Sequence, residues 1–227
     1  MTHRHKPASG RHLAVILALA IRASGSAAAA PDIGTLITQL DSANADDRAA
    51  AIHALGALGE AAAAAVPKLS KLALDEGWRV SQPAAAALFS VAPAKAVALL
   101  EPRLKAEDEQ TRSQTVKAVE YVGVAALPLL PALIDVVQGG GDGWMRAAAA
   151  NSIGQMGAAA VTAVPALCEG LNSPIEHVRR YCAKGLGNIG PPAVAAIPAL
   201  EAAAARTNDP GHARQAQKSL AKIRAAH

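Results

Sequence analysis

The chain contains very few aromatic residues. Only five of its 227 residues are Trp, Tyr or Phe. Sheets favour aromatic and β-branched side chains, whereas an alanine-rich composition suits helices that approach closely through small side chains. Few aromatic rings also leave little to stack on nucleic-acid bases. The composition therefore predicts a helical protein and argues against a nucleic-acid partner.

Residues that could form a catalytic or metal site are also sparse. His53, His177 and His212 are far apart in the sequence, and a metal site needs several ligands that converge. The glycine-rich segment 138–143 lacks a following Gly-Lys-[Ser/Thr], so we interpret it as a linker and not as a phosphate-binding loop. We predict no catalytic residue, no metal ion and no cofactor.

Long apolar runs are missing as well. The apolar run Leu13–Ile21 has nine residues, which is too short to span a bilayer. A basic segment precedes it and an Ala-rich segment of small residues follows it, as in a secretory signal. We predict a signal peptide at residues 1–29, a single domain at 30–227, export to the periplasm and no membrane span after cleavage. The alternative is an uncleaved first helix of a cytoplasmic protein, which the position of Arg22 favours.

The first 29 residues have no acidic side chain but carry four of the 22 Lys and Arg residues. The other 18 basic residues face 18 Asp and Glu residues in the remainder of the chain, so the mature protein would be close to neutral. The sequence pI of about 9.3 therefore does not support binding to nucleic acid.

What the sequence does contain is a repeated unit of 31 to 34 residues. Each copy is anchored on an arginine, with a glycine eleven residues later and a proline nineteen residues later in most copies. The anchors are Arg48, Arg79, Arg112, Arg146 and Arg179, and a terminal cap begins with Ala213 in the anchor position. The copy at Arg79 has Ser90 and Ala98 in place of the glycine and proline, which predicts irregular helix ends.

The pattern within each copy predicts two helices. Apolar residues 7 and 10 positions after the anchor, such as Ile153 and Met156, share one helical face, and a leucine 21 positions after it lies in a second apolar segment. The glycine can close the first helix in a left-handed conformation, and the proline suits the start of the second helix. We therefore predict an all-α superhelix, or solenoid, of about five to six helix pairs.

An acidic or amide residue stands four positions before most anchors. It can cap the coming helix, or it can pair with an arginine of the same or the neighbouring copy. Ile175 is the exception. The column comprises Asn44, Asp75, Asp108, Asp142 and Asp209.

This pattern of Asp-x-x-x-Arg, an alanine-rich helix ending in Leu-Gly-x-[Leu/Met/Ile]-Gly and a Pro-Ala-Leu helix resembles the short HEAT-like repeat named from phycobilin lyases. The resemblance covers Pro31 to about Ile223. It implies that the acidic and arginine columns support packing between repeats, and that the second helices line a concave side. The implied structural ladder is Arg48, Asp75, Arg79, Asp108, Arg112, Asp142, Arg146 and Arg179.

Solenoids of this kind use extended concave surfaces to hold partners. The charged candidates for such a surface are Lys68, Lys71, Lys95, Arg103, Lys105, Asp135, Glu169, Glu201 and Arg206. Trp78 and Trp144 are further candidates as interface anchors, although we favour packing beneath an inter-repeat loop. We predict a non-catalytic scaffold that binds another protein or peptide. The alternatives are a chromophore-lyase-like enzyme and, less favoured, a HEAT-like DNA glycosylase.

The chain has two cysteines, Cys168 and Cys182. They fall on the second helix of one copy and the first helix of the next, where they could reach each other. A disulfide is therefore an expectation that depends on export, and the alternative is that both fill small apolar positions.

Overall fold

The computed structural model describes residues 32–75, 77–139 and 142–225, so the predicted signal peptide lies outside the described residues. Within these ranges all regular secondary structure is helical. The α-helices are α1 (Ile33–Gln39), α2 (Ala45–Leu58), α3 (Val66–Asp75), α4 (Trp78–Val91), α5 (Pro93–Leu104), α6 (Glu109–Val119), α7 (Leu130–Gln138), α8 (Gly143–Gln155), α9 (Val164–Gly170), α10 (Glu176–Ile189), α11 (Ile197–Ala204) and α12 (Pro210–Arg224). Short 3₁₀ segments cover Gly59–Ala65, Gly123–Leu129, Gly157–Ala163 and Pro191–Ala196.

The helices pair along the chain. Five pairs run from α2 and α3 to α10 and α11, α1 is an unpaired second helix at the start, and α12 is a first helix that ends the stack. Each first helix packs against the first helices of its neighbours, and the second helices α5, α7 and α9 pack in the same way. The predicted all-α solenoid is confirmed as a stack with two layers of helices.

Leucines and small residues fill the space between the layers. The leucine 21 positions after each anchor is fully buried in every copy: Leu69, Leu100, Leu133, Leu167 and Leu200.

In the first-helix layer, a Cβ on Gly154 would lie 2.8 Å from Cα of Gly185, and one on Gly187 would lie 2.8 Å from Cα of Ser219. Glycine is therefore required for α8, α10 and α12 to approach this closely.

The glycine column forms the joint between the two helices of a pair. Gly59, Gly123, Gly157 and Gly190 have φ values between 58° and 76°, which only glycine adopts without strain. At Gly157 the chain leaves α8 and enters a 3₁₀ segment before α9 begins. The prediction of a left-handed joint is confirmed at these four positions.

The second copy departs from the others, as its missing glycine predicted. α4 ends at Val91, and only Ala92 separates it from α5, which starts at Pro93. Since Ser90 cannot adopt a positive φ without strain, this copy has no glycine joint and no 3₁₀ segment.

The start of the second copy also differs, and the choice of Arg79 as the anchor of this copy was wrong. The N-cap of α4 is Gly77, whereas Asp75 is the last residue of α3. Counted from the N-cap, the arginine position of this copy is held by Ser81, which is buried, and not by Arg79, which is exposed. A glycine two residues after the acid in the sequence provides the cap, so the repeat register moves by two residues at this point.

The stretch Ala45–Leu74 is long and apolar enough by composition to cross a membrane. The expectation that no segment has this composition is therefore corrected. In the structure, however, Gly59 breaks the stretch into α2 and α3, and its residues Leu55 and Leu69 are fully buried in the stack. It forms the first helix pair.

Candidate functional site

The arginine column contacts the chain that leads into each first helix. The Nη1 atoms of Arg48, Arg112 and Arg179 each donate to two backbone carbonyls five and six residues earlier; for Arg179 these are Pro174 at 3.0 Å and Ser173 at 2.9 Å. Arg146 reaches further back, and its Nε donates to Val137 O at 2.9 Å. These arginines join a helix start to the end of the preceding copy.

The acidic and amide column caps the helices. The side-chain oxygens of Asn44, Asp108, Asp142 and Asp209 accept hydrogen bonds from N–H groups in the first turns of α2, α6, α8 and α12. The residue before α10, Ile175, provides no such cap. Of the two roles left open by the sequence, capping is the one that these four residues share.

Ion pairs between neighbouring copies occur at two of these positions. Arg179 pairs with Asp209, and both side chains are mostly buried. Burial alone would raise the pKa of Asp209, but hydrogen bonds from Arg179 and from the His212 amide outweigh it and lower that pKa. Arg79 pairs with Asp46 at 3.7 Å, but there both side chains are largely exposed. The described ion pairs therefore do not form a continuous ladder.

Five of the charged residues predicted for the partner surface are engaged within the protein. Arg206 donates to Leu171 O at 3.0 Å and also to Asn172 Oδ1. Lys68 donates to Ile37 O at 3.1 Å and pairs with Asp41, which ties α3 to α1. Lys105 pairs with Glu101 at 2.7 Å. Glu169 accepts from Gln138 Nε2 at 2.8 Å, and Glu201 pairs with Arg224.

The remaining charged residues of that surface are less engaged. Lys71 on α3, Lys95 on α5 and Asp135 on α7 are exposed, and within the described residues none of them forms an ion pair. Lys71 also lines a cleft of about 240 Å³ with Leu40, Asp41 and other residues. Arg103 is half-buried. We name Lys71, Lys95 and Asp135 the second-helix surface.

The two tryptophans are on the outside of the molecule. The exposed fraction is 65% for Trp78 and 56% for Trp144, so packing beneath an inter-repeat loop was the wrong expectation. Both lie in the first turn of a first helix, where the side chain can point away from the stack. The ring of Trp144 stacks on His177 of the next copy, with 3.9 Å between ring centroids.

Cys168 and Cys182 are free thiols, so the expected disulfide is not present. The Sγ atom of Cys182 packs against Gly170, because a Cβ built on that glycine would lie 2.3 Å from it. Gly170 and Cys168 are two residues apart on α9, which is a rotation of about 200° around the helix. Cys168 is therefore on a different side of α9 from Gly170, the residue that Cys182 contacts. Burial raises the pKa of the Cys182 thiol to about 12.

Sequence reasoning did not identify a line of polar contacts across the first helices. Asn151 on α8 donates to Glu120 Oε1 at 3.1 Å and accepts from Lys184 Nζ on α10 at 2.9 Å. Burial raises the pKa of Glu120, although these neighbours act in the opposite direction. The sequence signal is a helical stripe on α10 at His177, Tyr181, Lys184 and Asn188, with spacings of four, three and four.

The described residues contain no group of three or more His, Cys, Asp or Glu side chains that could hold a metal ion. A second cleft, of about 350 Å³, lies between the end of α11 and α12, and its polar lining comes from Arg206, Thr207, Arg214 and Gln217. The lining of this cleft offers no carboxylate or imidazole that could act as a general base. Neither the cleft nor the distribution of possible metal ligands therefore indicates a particular chemistry.

Comparison with solved structures identifies the same architecture elsewhere. An engineered protein matches with a TM-score of 0.52 and 20% identity over 86% of this chain and 97% of that one. A designed armadillo repeat protein in complex with the peptide (KR)4 matches with a TM-score of 0.53 and 18% identity, over 85% and 99% of the two chains. The karyopherin Kap121p bound to the SUMO protease Ulp1p gives 0.53 and 16%, over 85% of this chain and 25% of that one. At these identities the likeness shows the fold alone.

A search of curated proteins found no match to this chain. The sequence profile of HEAT repeats, in contrast, matches residues 33–120 and 130–223, which together are most of the chain. The matched ranges include the helix pairs from α2 to α11, the capped helix starts and three of the four glycine joints, whereas Gly123 lies between the two ranges. The chain belongs to the HEAT repeat family.

Proposed function

We propose that this HEAT-repeat protein is an exported, non-catalytic periplasmic scaffold that holds a peptide or protein segment along its second-helix surface. The observation that carries the proposal is that Lys71 and Lys95 are exposed on consecutive second helices and are free of ion pairs within the described residues. Unpaired charges on a regular surface are available to a partner at a low cost in desolvation.

The spacing of the stack fits an extended chain. Packed helices lie about 8–10 Å apart, and an extended peptide advances about 3.3 Å per residue, so each step of the stack corresponds to about three peptide residues. Lys71, Lys95 and Asp135 present two positive charges followed by one negative charge. The matching partner therefore presents acidic residues to α3 and α5 and a basic residue to α7.

Two structurally similar proteins support the idea that this fold can present such a surface. One is described in complex with the peptide (KR)4 and the other with a SUMO protease. Their ligands need not be the ligand of this chain, since its exposed side chains differ. Solenoids in general bind partners through extended surfaces formed by successive repeats.

Photo-crosslinking in the native host tests the binding site. A photoreactive residue replaces Lys71 or, separately, Lys95, and a matched control replaces His53, which is exposed on the first helix α2. We expect the same partner at both second-helix positions and not at the control, with a lower yield when the other lysine is changed to glutamate. No partner at either position, with modification of a small molecule by the purified protein, would instead favour the lyase-like alternative.

Export is tested separately by mass spectrometry of the native N-terminus. We expect a mature chain that begins near residue 30, because the basic, apolar and small-residue segments before it have the order of a secretory signal. A chain that keeps residues 1–29 contradicts export. The DNA-glycosylase alternative predicts clear gel shifts with DNA at physiological salt, which the scaffold proposal does not.

A further inference from the structure

The first-helix layer carries a separate cluster of cations and aromatic rings near the C-terminal end of the stack. Along α10, Arg180 and Lys184 lie over the ring of Tyr181, at 5.7 Å and 5.2 Å from its centroid. These distances are within the range of cation–π attraction. His177, one turn before Tyr181, stacks on the exposed ring of Trp144.

The cluster continues onto the terminal helix. Lys222 of α12 donates to Asn188 Oδ1 at 2.8 Å, and Asn188 is one turn after Lys184 on α10. Lys218 is one turn before Lys222 and is exposed. α12 has no acidic residue, so no carboxylate on this helix neutralises its lysines. We name Trp144, Arg180, Tyr181, Lys184, Lys218 and Lys222 the first-helix patch.

Within the described residues, the lysines of this patch are not paired directly with a carboxylate. Lys184 and Lys222 each donate to a neutral asparagine amide, and within the described residues neither forms an ion pair. Arg180 has Glu176 at 3.8 Å, but both side chains are about half exposed. The asparagines hold the ammonium groups in place. The asparagine beside Lys184 also contacts Glu120, so this carboxylate acts on Lys184 through the amide and not through a direct ion pair.

We infer that the first-helix patch binds an acidic protein segment that places carboxylates on Lys184 and Lys222 and a side chain against Trp144 and Tyr181. Positive charge beside the exposed ring of Trp144 and the half-buried ring of Tyr181 matches the composition of protein interfaces, where Trp, Tyr and Arg are enriched. The patch belongs to the layer opposite the second-helix surface, and the inference does not depend on binding at that surface.

A protein partner fits better than nucleic acid. The chain after residue 31 has 18 basic and 18 acidic residues, so it lacks the overall positive charge that attracts a phosphate backbone. Glu120 and Glu176 also lie next to the lysines and the arginine of the patch, where they would repel a continuous row of phosphates. A peptide can place its carboxylates between these side chains.

Binding of a fluorescein-labelled peptide of about twelve residues, alternating Glu and Ser, tests the inference on the full chain by anisotropy. We expect salt-sensitive binding that weakens roughly three- to tenfold when Lys184 and Lys222 are both changed to Gln. The matched control, Arg79→Gln with Lys117→Gln, removes two exposed charges outside both named surfaces and is expected to leave this affinity unchanged. With Trp78 changed to Phe, the emission of Trp144 is expected to change on addition of the peptide.

Four results would overturn the inference: no binding by the wild-type chain, an equal loss in the patch variant and the control variant, tighter binding of a thymidine oligonucleotide of the same length, or a loss confined to the second-helix surface. If Lys184→Gln lowers the melting temperature, the double variant Lys218→Gln with Lys222→Gln is used in place of the one that contains Lys184→Gln. The side chains of Lys218 and Lys222 are both exposed. Loss in a third variant alone, Lys71→Gln with Lys95→Gln, would place the acidic peptide on the second-helix surface, which overturns this inference and leaves the proposed function intact.

Discussion

At the scale of single residues, His212 is the clearest departure from ordinary packing. Its side chain is fully buried in the first turn of α12, and neither ring nitrogen has a hydrogen-bond partner among the described residues. Burial lowers the pKa of the imidazole, Arg206 and Arg179 add to that effect, and Asp209 opposes it. A buried polar group without partners costs stability, so this residue weakens the terminal helix.

The protonation of His212 predicts acid sensitivity. An unfolded histidine has a pKa of about 6.5, and the folded value is lower, so the unfolded chain takes up the proton first as the pH falls. The stability linked to neutral His212 is full above about pH 6.5 and is lost below it. We expect the melting temperature to fall between pH 7 and about pH 5.

The variant His212→Leu is expected to show a smaller fall over this pH range, together with a gain on the order of 1 kcal/mol at pH 7 because the unpaired polar group is removed. Thermal unfolding followed by circular dichroism measures both. The control is His53→Leu, since His53 is exposed, and it should keep the wild-type pH dependence. If the two variants respond alike, His212 is not responsible.

At the scale of elements, the helix starts distinguish regular from irregular copies. The side chain of Asn44 accepts from Asp46 N at 2.9 Å and caps α2, whereas α4 begins after Gly77 without a side-chain cap. Gly77 has φ −61° and ψ 162°, which any residue can adopt, and a Cβ there would meet no atom within 4 Å. The position can therefore accept a capping residue.

This difference predicts opposite effects of two substitutions. Asn44→Ala is expected to reduce the free energy of unfolding by about 0.5–2 kcal/mol, because α2 loses its cap. Gly77→Asn is expected to raise it by a few tenths of a kcal/mol, because Asn can cap α4 and Gly already tolerates the site. Urea denaturation monitored by circular dichroism measures both, and a destabilising Gly77→Asn would show that α4 does not use position 77 as its cap.

The helix pairs could be predicted from the sequence because their signals are local. The glycine joint after α8, the proline at the start of α9 and the buried leucine column depend on residues within one copy. The register of the second copy could not be predicted, because Arg79 matches the arginine spacing by chance. Only the backbone shows that Gly77 begins this helix and that Ser81 takes the buried position.

At the scale of the whole molecule, each repeat of the stack contacts only its neighbours. Asp209 accepts from His212 N and pairs with Arg179, so one carboxylate both starts α12 and joins it to α10. In such stacks stability is close to a sum of terms from each repeat and each interface. The ion pair acts at the start of the terminal helix, and Ser219, Lys222 and Arg224 hold the rest of that helix on α10 and α11.

Removal of that carboxylate predicts local unfolding. In Asp209→Ala we expect the amides of α12 to exchange with solvent about ten- to hundredfold faster, because Arg179 loses its partner in a mostly buried site. The amides of α2 should be unaffected, since that helix does not contact α12. Hydrogen exchange read by mass spectrometry tests this, with Asp46→Ala, which removes an exposed pair, as the control. Faster exchange along the entire chain would contradict independent repeats.

The sequence by itself determined the class of fold, the number of helix pairs and the joints within them, because periodicity, glycine and proline act over short distances. The tertiary structure decided which charges remain available. Lys68 and Glu201 are engaged by neighbouring elements, Lys71 and Lys95 are not, and the patch around Tyr181 forms only when α8, α10 and α12 stack. The partners of Lys68 and Glu201 are 27 and 23 residues away in the sequence, so no local pattern predicts that these charges are compensated.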